Sequence, residues 1–178
     1  MKRAALLALL LTVALAAVAA VAVAKLRDPL RAPDGAIPFL AHVFPVPADH
    51  GERGAVGEFG AGRNDGRVHE GFDILARCGA PATAAITGKV RKTGYDPVLY
   101  GHYLEIHGLG EHRSYFYAHL KRPPFVHRGE RVWAGERVGV VGKTGNAWSV
   151  GCMLHFEIHV DGRPIDPKPA LERWDVWS

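Results

Sequence analysis

Between residues 25 and 178 the chain never sustains a helical apolar stripe of ordinary length, and this limits what it can fold into. It carries short β-rich runs instead: residues 84–93 (AAITGKVRKT), 103–107 (YLEIH), 114–119 (SYFYAH), 137–141 (RVGVV) and Met153–Val160. Glycines at 79, 94, 108, 110, 129, 135, 142 and 145 punctuate these runs. Many short strands separated by Gly/Pro turns imply a mainly β fold, an antiparallel β-sandwich or barrel-like single domain. No internal repeat is present, and residues 173–178, with Trp174 and Trp177, are expected to pack on the outside of that domain.

The first residues read as a targeting segment rather than as part of the fold. Lys2 and Arg3 precede an Ala/Leu/Val run over residues 4–24 whose only polar member is Thr12. Ala22-Val23-Ala24 offers a small-x-small cleavage site. The run is also about long enough to span a bilayer, roughly 20 residues. Residues 1–24 are therefore either a cleaved signal peptide or an N-terminal anchor that attaches the chain to the membrane. Both place the remainder outside the cytoplasm: secreted, on the cell-wall or periplasmic side, or anchored to the outer face of the cytoplasmic membrane. Residues 25–47 read as a Pro-rich connector and 48–178 as the folded domain, about the size of one domain. The net charge of +4 suits a solvated surface or mild attraction to an acidic polymer. Basic and aromatic residues do not cluster as nucleic-acid binding requires, so no nucleic-acid partner is expected.

Three stretches carry residues with chemistry. In residues 150–158 (VGCMLHFEI) the alternation is that of a strand, which puts Met153, His155 and Glu157 on one face. Residues 67–74 (RVHEGFDI) hold His69 and Asp73 four apart, again read as one strand face. The aromatic run at 115–120 (YFYAHL) ends in His119-Leu120. Imidazole and carboxylate are ligands that zinc accepts, and three of them with one open position describe a catalytic centre. None of the stretches is helical by pattern, so the helical HExxH arrangement does not apply.

His69-Glu70-Gly71-Phe72-Asp73, Tyr117-Ala118-His119-Leu120, Gly142-Lys143-Thr144-Gly145 and Leu154-His155-Phe156-Glu157 together resemble the lysostaphin-type (LytM-like) zinc endopeptidases. That family hydrolyses peptide bonds in the cross-links or stems of peptidoglycan, and the likeness runs from about Phe44 to Pro167. It implies a mainly β domain with a groove, and a Zn2+ held by His69, Asp73 and His155. Zinc in such a site polarises the scissile carbonyl and lowers the pKa of its bound water to about 7. By the same resemblance His119 is a catalytic histidine rather than a ligand, handling a proton or hydrogen-bonding the tetrahedral intermediate. His42, His50, His102, His107, His112, His127 and His159 match no motif, and on a strand His159 lies about 13 Å from His155.

One position departs from the family pattern. Its last motif is His-x-His, and Met153 stands where the first histidine belongs. A thioether is a weak acceptor and has no proton to give or take. Losing an oxyanion donor costs about 10²–10³ in rate, and losing a general base about 10²–10⁴. Two functions follow. One is a zinc metalloendopeptidase acting on peptidoglycan peptides, impaired at the degenerate position Met153. The other is a weak or inactive LytM-like domain that binds peptidoglycan or regulates a partner cell-wall hydrolase.

Cys78 follows Asp73 and Cys152 precedes His155. In an exported protein an even pair reads as a disulfide more readily than as a ligand set, with thiolate ligation the alternative.

Overall fold

A computed structural model describes residues 42–63 and 66–176 of the protein. The targeting segment, most of the connector and Trp177 lie outside the described residues. In chain order the strands are β1 (His50–Glu52), β2 (Phe72–Ala76), β3 (Pro81–Thr83), β4 (Gly88–Asp96) and β5 (Gly101–Gly108). They continue with β6 (Arg113–Leu120), β7 (Arg131–Val132), β8 (Arg137–Val140), β9 (Met153–Val160) and β10 (Arg163–Ile165), and then one short helix, α1 (Lys168–Trp174). The main sheet runs β1-β2-β9-β6-β5-β4-β7, with β10 also paired to β9, and β3 pairs with β8 in a second, two-stranded sheet. All pairings are antiparallel, so the mainly β architecture expected from the sequence is the one found.

Strand β9 organises the molecule because its period of two sorts apolar from reactive side chains. Leu154, Phe156 and Ile158 enter the hydrophobic core, while Met153, His155 and Glu157 point to the other face. The neighbouring strands obey the same parity. Phe72 and Ile74 of β2 and Tyr115 and Tyr117 of β6 face the core. Asp73, on the opposite face of β2, stands directly across from His155 in the pairing. Each fully buried large side chain contributes about 1.5–3 kcal/mol, so reversing the parity of β9 would forfeit the core. The segment after β3 closes that core with Ala84, Ala85 and Ile86, and the backbone N–H of Ala85 donates to the buried hydroxyl of Tyr117 at 2.7 Å.

Several boundaries differ from the sequence reading. Residues 84–87 are not strand; β4 starts at Gly88, where a side chain would lie 2.2 Å from the carbonyl oxygen of His107. Phe44 and Val46, read as connector, are buried core residues. Trp174 is not simply external: it packs against the core from α1 and stacks on His42 at 4.7 Å.

Cys78 and Cys152 are joined as a disulfide with their Cα atoms 5.2 Å apart. The bridge ties the turn after β2 to the turn before β9, the two strands that carry Asp73 and His155. It closes a separation of 74 residues, for which the chain-entropy account gives about 4–5 kcal/mol at most. Replacing both cysteines by serine should lower unfolding free energy by about 2–4 kcal/mol, read as a lower urea midpoint with a steeper slope, because the unlinked denatured chain exposes more surface. An unchanged midpoint would show that the bridge adds no stability.

Candidate metal centre

His69 reaches the site by a route the period-two reading did not foresee. On one continuous strand, residues four apart lie about 13 Å from each other, too far to share an ion. β2 instead begins at Phe72, and His69 sits in the preceding loop. The loop is pinned by backbone hydrogen bonds from His69 N–H to the Ala61 carbonyl and from Gly60 N–H to the His69 carbonyl, both 2.8 Å. Between loop and strand the chain passes against β9 at Gly71, where a Cβ would come within 2.6 Å of the Phe156 carbonyl oxygen and 2.8 Å of the His155 ring. Only glycine fits there. The bend brings His69 Nε2 to 3.1 Å from Asp73 Oδ1.

His155 completes the cluster from β9. Its Nδ1 lies 3.0 Å from Asp73 Oδ1 and 2.9 Å from His69 Nε2, and all three residues are buried. The far atom of each group is already engaged. His69 Nδ1–H donates to the Glu58 carbonyl at 2.9 Å, and His155 Nε2–H donates to Glu157 Oε1 at 2.7 Å. Arg53 Nη1 donates to the second oxygen of Asp73 at 2.9 Å. In the neutral histidines this leaves two nitrogen lone pairs and a carboxylate oxygen facing one point. Such a set repels itself unless a cation sits among the three atoms. With bonds of about 2.0–2.1 Å a tetrahedral zinc has ligand atoms about 3.3 Å apart, so this triangle fits within a few tenths of an ångström. Every candidate ligand also carries the outer hydrogen bond that orients metal ligands.

The electrostatics agree with a cation-binding cluster. Burial works against ionisation of Asp73, yet His155 and His69 outweigh it and hold the carboxyl well below its usual range. Burial likewise opposes charge on His155, but hydrogen bonds to Asp73 and Glu157 push it up to about 9. Without a metal, a proton on His155 fills the gap.

His119 stands at the end of β6 in a left-handed conformation, φ 62°, unusual for a residue other than glycine. Its placement explains the Gly142-Lys143-Thr144-Gly145 motif. Thr144 offers its carbonyl to His119 Nδ1–H at 2.9 Å, while its hydroxyl donates to the Leu120 carbonyl and accepts from His102 N–H. Nε2 of His119 therefore keeps its lone pair. Burial, with charge on His155 adding to it, pushes His119 down to about 4, so it is neutral at neutral pH. Its ring centroid lies 5.7 Å from that of His155.

His69, Asp73, His119, Met153 and His155 all line one cleft of about 630 Å³. Met153 is 1% exposed and on the same strand face as His155. The sequence reading missed Arg53, Tyr100 and the role of Glu157, which also line the cleft. Arg53 is 20 residues from Asp73 and has no spacing signal. Glu157 had one, since it shares the strand face of His155.

Against known proteins, the profile described as peptidase family M23 matches residues 67–167. Peptidoglycan DD-endopeptidase ShyC of Vibrio cholerae is 35% identical over 102 residues, 57% of this chain and 22% of that protein. A zinc-containing peptidase from Vibrio cholerae superposes with a TM-score of 0.58 at 30% identity, covering 70% of this chain and 39% of the other. The catalytic domain of lysostaphin from Staphylococcus simulans gives a TM-score of 0.58 at 27% identity, covering 70% of this chain and 92% of that domain. This chain spans 20% to 47% of the length of the curated relatives it matches, 22% of ShyC and 47% of an L-Ala–D-Glu endopeptidase of Bacillus subtilis.

Proposed function

The chain belongs to peptidase family M23, and from that membership we propose that it is a zinc-dependent endopeptidase acting on peptidoglycan peptides outside the cytoplasm. The observation that carries the reading is the triangle of His69 Nε2, Asp73 Oδ1 and His155 Nδ1, with edges of 2.9–3.1 Å. Relatives named as peptidoglycan endopeptidases, ShyC among them, supply the substrate class. Zinc held there would polarise the scissile carbonyl and activate the attacking water. Asp73 and the two histidines would hold the ion, with Arg53 fixing the carboxylate through its free oxygen. His119 presents an unprotonated Nε2 to the cleft, fit to take a proton and then to hydrogen-bond the tetrahedral species. Residues 4–24 would export the chain, as a signal peptide or as a membrane anchor. No helix among the described residues is long and apolar enough to cross a membrane.

Met153 favours a second reading. A buried thioether in the cleft contributes neither proton nor donor, which suits a weak or inactive domain that binds peptidoglycan or regulates a partner hydrolase. Metal content of the purified protein, followed by mass analysis of fragments from purified peptidoglycan, separates the two. We expect one zinc per chain and peptide fragments whose release stops with chelator and returns with zinc. Bound zinc without fragments would support the second reading, and a chain that takes up no zinc would remove the enzyme.

A further inference from the structure

We infer that Glu157 and His159 are positioning residues, a two-member chain that fixes which nitrogen of His155 is presented to the metal. The inference rests on the zinc reading above. His155, Glu157 and His159 are successive same-face residues of β9, opposite the core residues Phe156 and Ile158. Glu157 divides its two oxygens between them: Oε1 accepts from His155 Nε2 at 2.7 Å, and Oε2 accepts from His159 Nε2 at 2.6 Å.

An imidazole can offer either nitrogen to a metal, and the hydrogen bond on the other one decides which. Glu157 occupies Nε2 of His155 and so leaves Nδ1 facing Asp73 and His69. A ring flip would put carbon where the ligand nitrogen belongs. Glu157 needs fixing in its turn, because a carboxylate side chain only 4% exposed is costly unless both oxygens are satisfied. His159 satisfies the second oxygen, and its backbone is held between Ser114 of β6 and Pro164 of β10. The residue that matches no metal motif therefore supports the metal ligand from four positions away, through a carboxylate, although it is too distant to bind the ion itself. His159 also opens onto a second cleft of about 610 Å³, which shares Glu70, Tyr100 and Glu157 with the metal cleft.

Zinc affinity measured by chelator competition tests this without recourse to activity. Glu157→Leu should weaken zinc binding about 10–100-fold, the usual effect of removing an outer partner. His159→Leu should weaken it at least about threefold, and the double variant should bind no more weakly than Glu157→Leu alone, because His159 acts through Glu157. Glu157→Gln keeps an acceptor for His155 while losing the charge, and should fall between wild type and Glu157→Leu. If Glu157→Leu fails to fold, Glu157→Gln and His159→Leu carry the test. Thermal midpoints of the metal-free forms separate general destabilisation from loss of ligand orientation. Wild-type zinc affinity in both Glu157→Gln and His159→Leu would overturn the inference and leave the metal centre standing. Wild-type protein that binds no zinc would overturn both.

Discussion

His69→Ala should abolish stoichiometric zinc binding and, with it, any chelator-sensitive release of peptides from peptidoglycan. The expectation is larger than for an outer residue because His69 contributes one of only three ligand atoms within 3.1 Å of one another. Removing an outer partner costs about 10–100-fold in metal affinity, and removing a ligand should cost more. What remains is Asp73 Oδ1 and His155 Nδ1, a pair that a proton on His155 satisfies as a simple ion pair. The fold should survive, because His69 lies in a loop, outside the hydrophobic core, and beyond the cluster itself its side chain bonds one backbone carbonyl. Metal content after dialysis, with circular dichroism as the folding control, measures the effect. A folded variant that still retains one tightly held zinc would remove His69 from the ligand set.

Met153→His should raise hydrolysis of peptidoglycan peptides at least about tenfold while leaving zinc content unchanged, a figure below what a positioned acid or base usually supplies. Strand parity places residue 153 on the face of His155, and the side chain lines the same cleft as His119. Histidine and methionine are close in volume, so β9 should accept the exchange with little strain. The backbone there is fixed independently of the side chain, by pairing with Leu75 and by the hydrogen bond from Met153 N–H to the Gly142 carbonyl. The new ring replaces a side chain that is 1% exposed, so it must find its hydrogen-bond partner among the groups of the cleft or in bound substrate. Rates on purified peptidoglycan, normalised to bound zinc, decide the matter. Wild-type activity equal to that of the variant would show that another group already does this work. A zinc-loaded variant without activity would place the defect in the shape of the groove rather than at position 153.

How much of this was legible beforehand divides along one physical line. Periodicity in β9 is local: the alternation of Leu154, Phe156 and Ile158 with Met153, His155 and Glu157 separates two faces, and in the structure one enters the hydrophobic core and the other lines the cleft. The antiparallel, mainly β architecture follows from the same kind of signal, repeated in short runs between glycines. The motif around His69 and Asp73 named two residues that the structure brings together, but on a different backbone from the one expected, since a straight strand would hold them too far apart.

Other features depend on distant segments closing on one another. His155 meets Asp73 across 82 residues and His69 across 86, and no window of sequence contains both ends. Arg53 joins Asp73 from a loop with no periodic pattern, and Thr144 reaches His119 only because the chain turns back between β8 and β9. The sequence by itself determined the mainly β architecture, the two faces of β9 and the residue types able to bind zinc. The tertiary structure alone decided which atoms of those residues converge, because ligand geometry is set to a few tenths of an ångström by non-local packing, whereas periodicity specifies only a face.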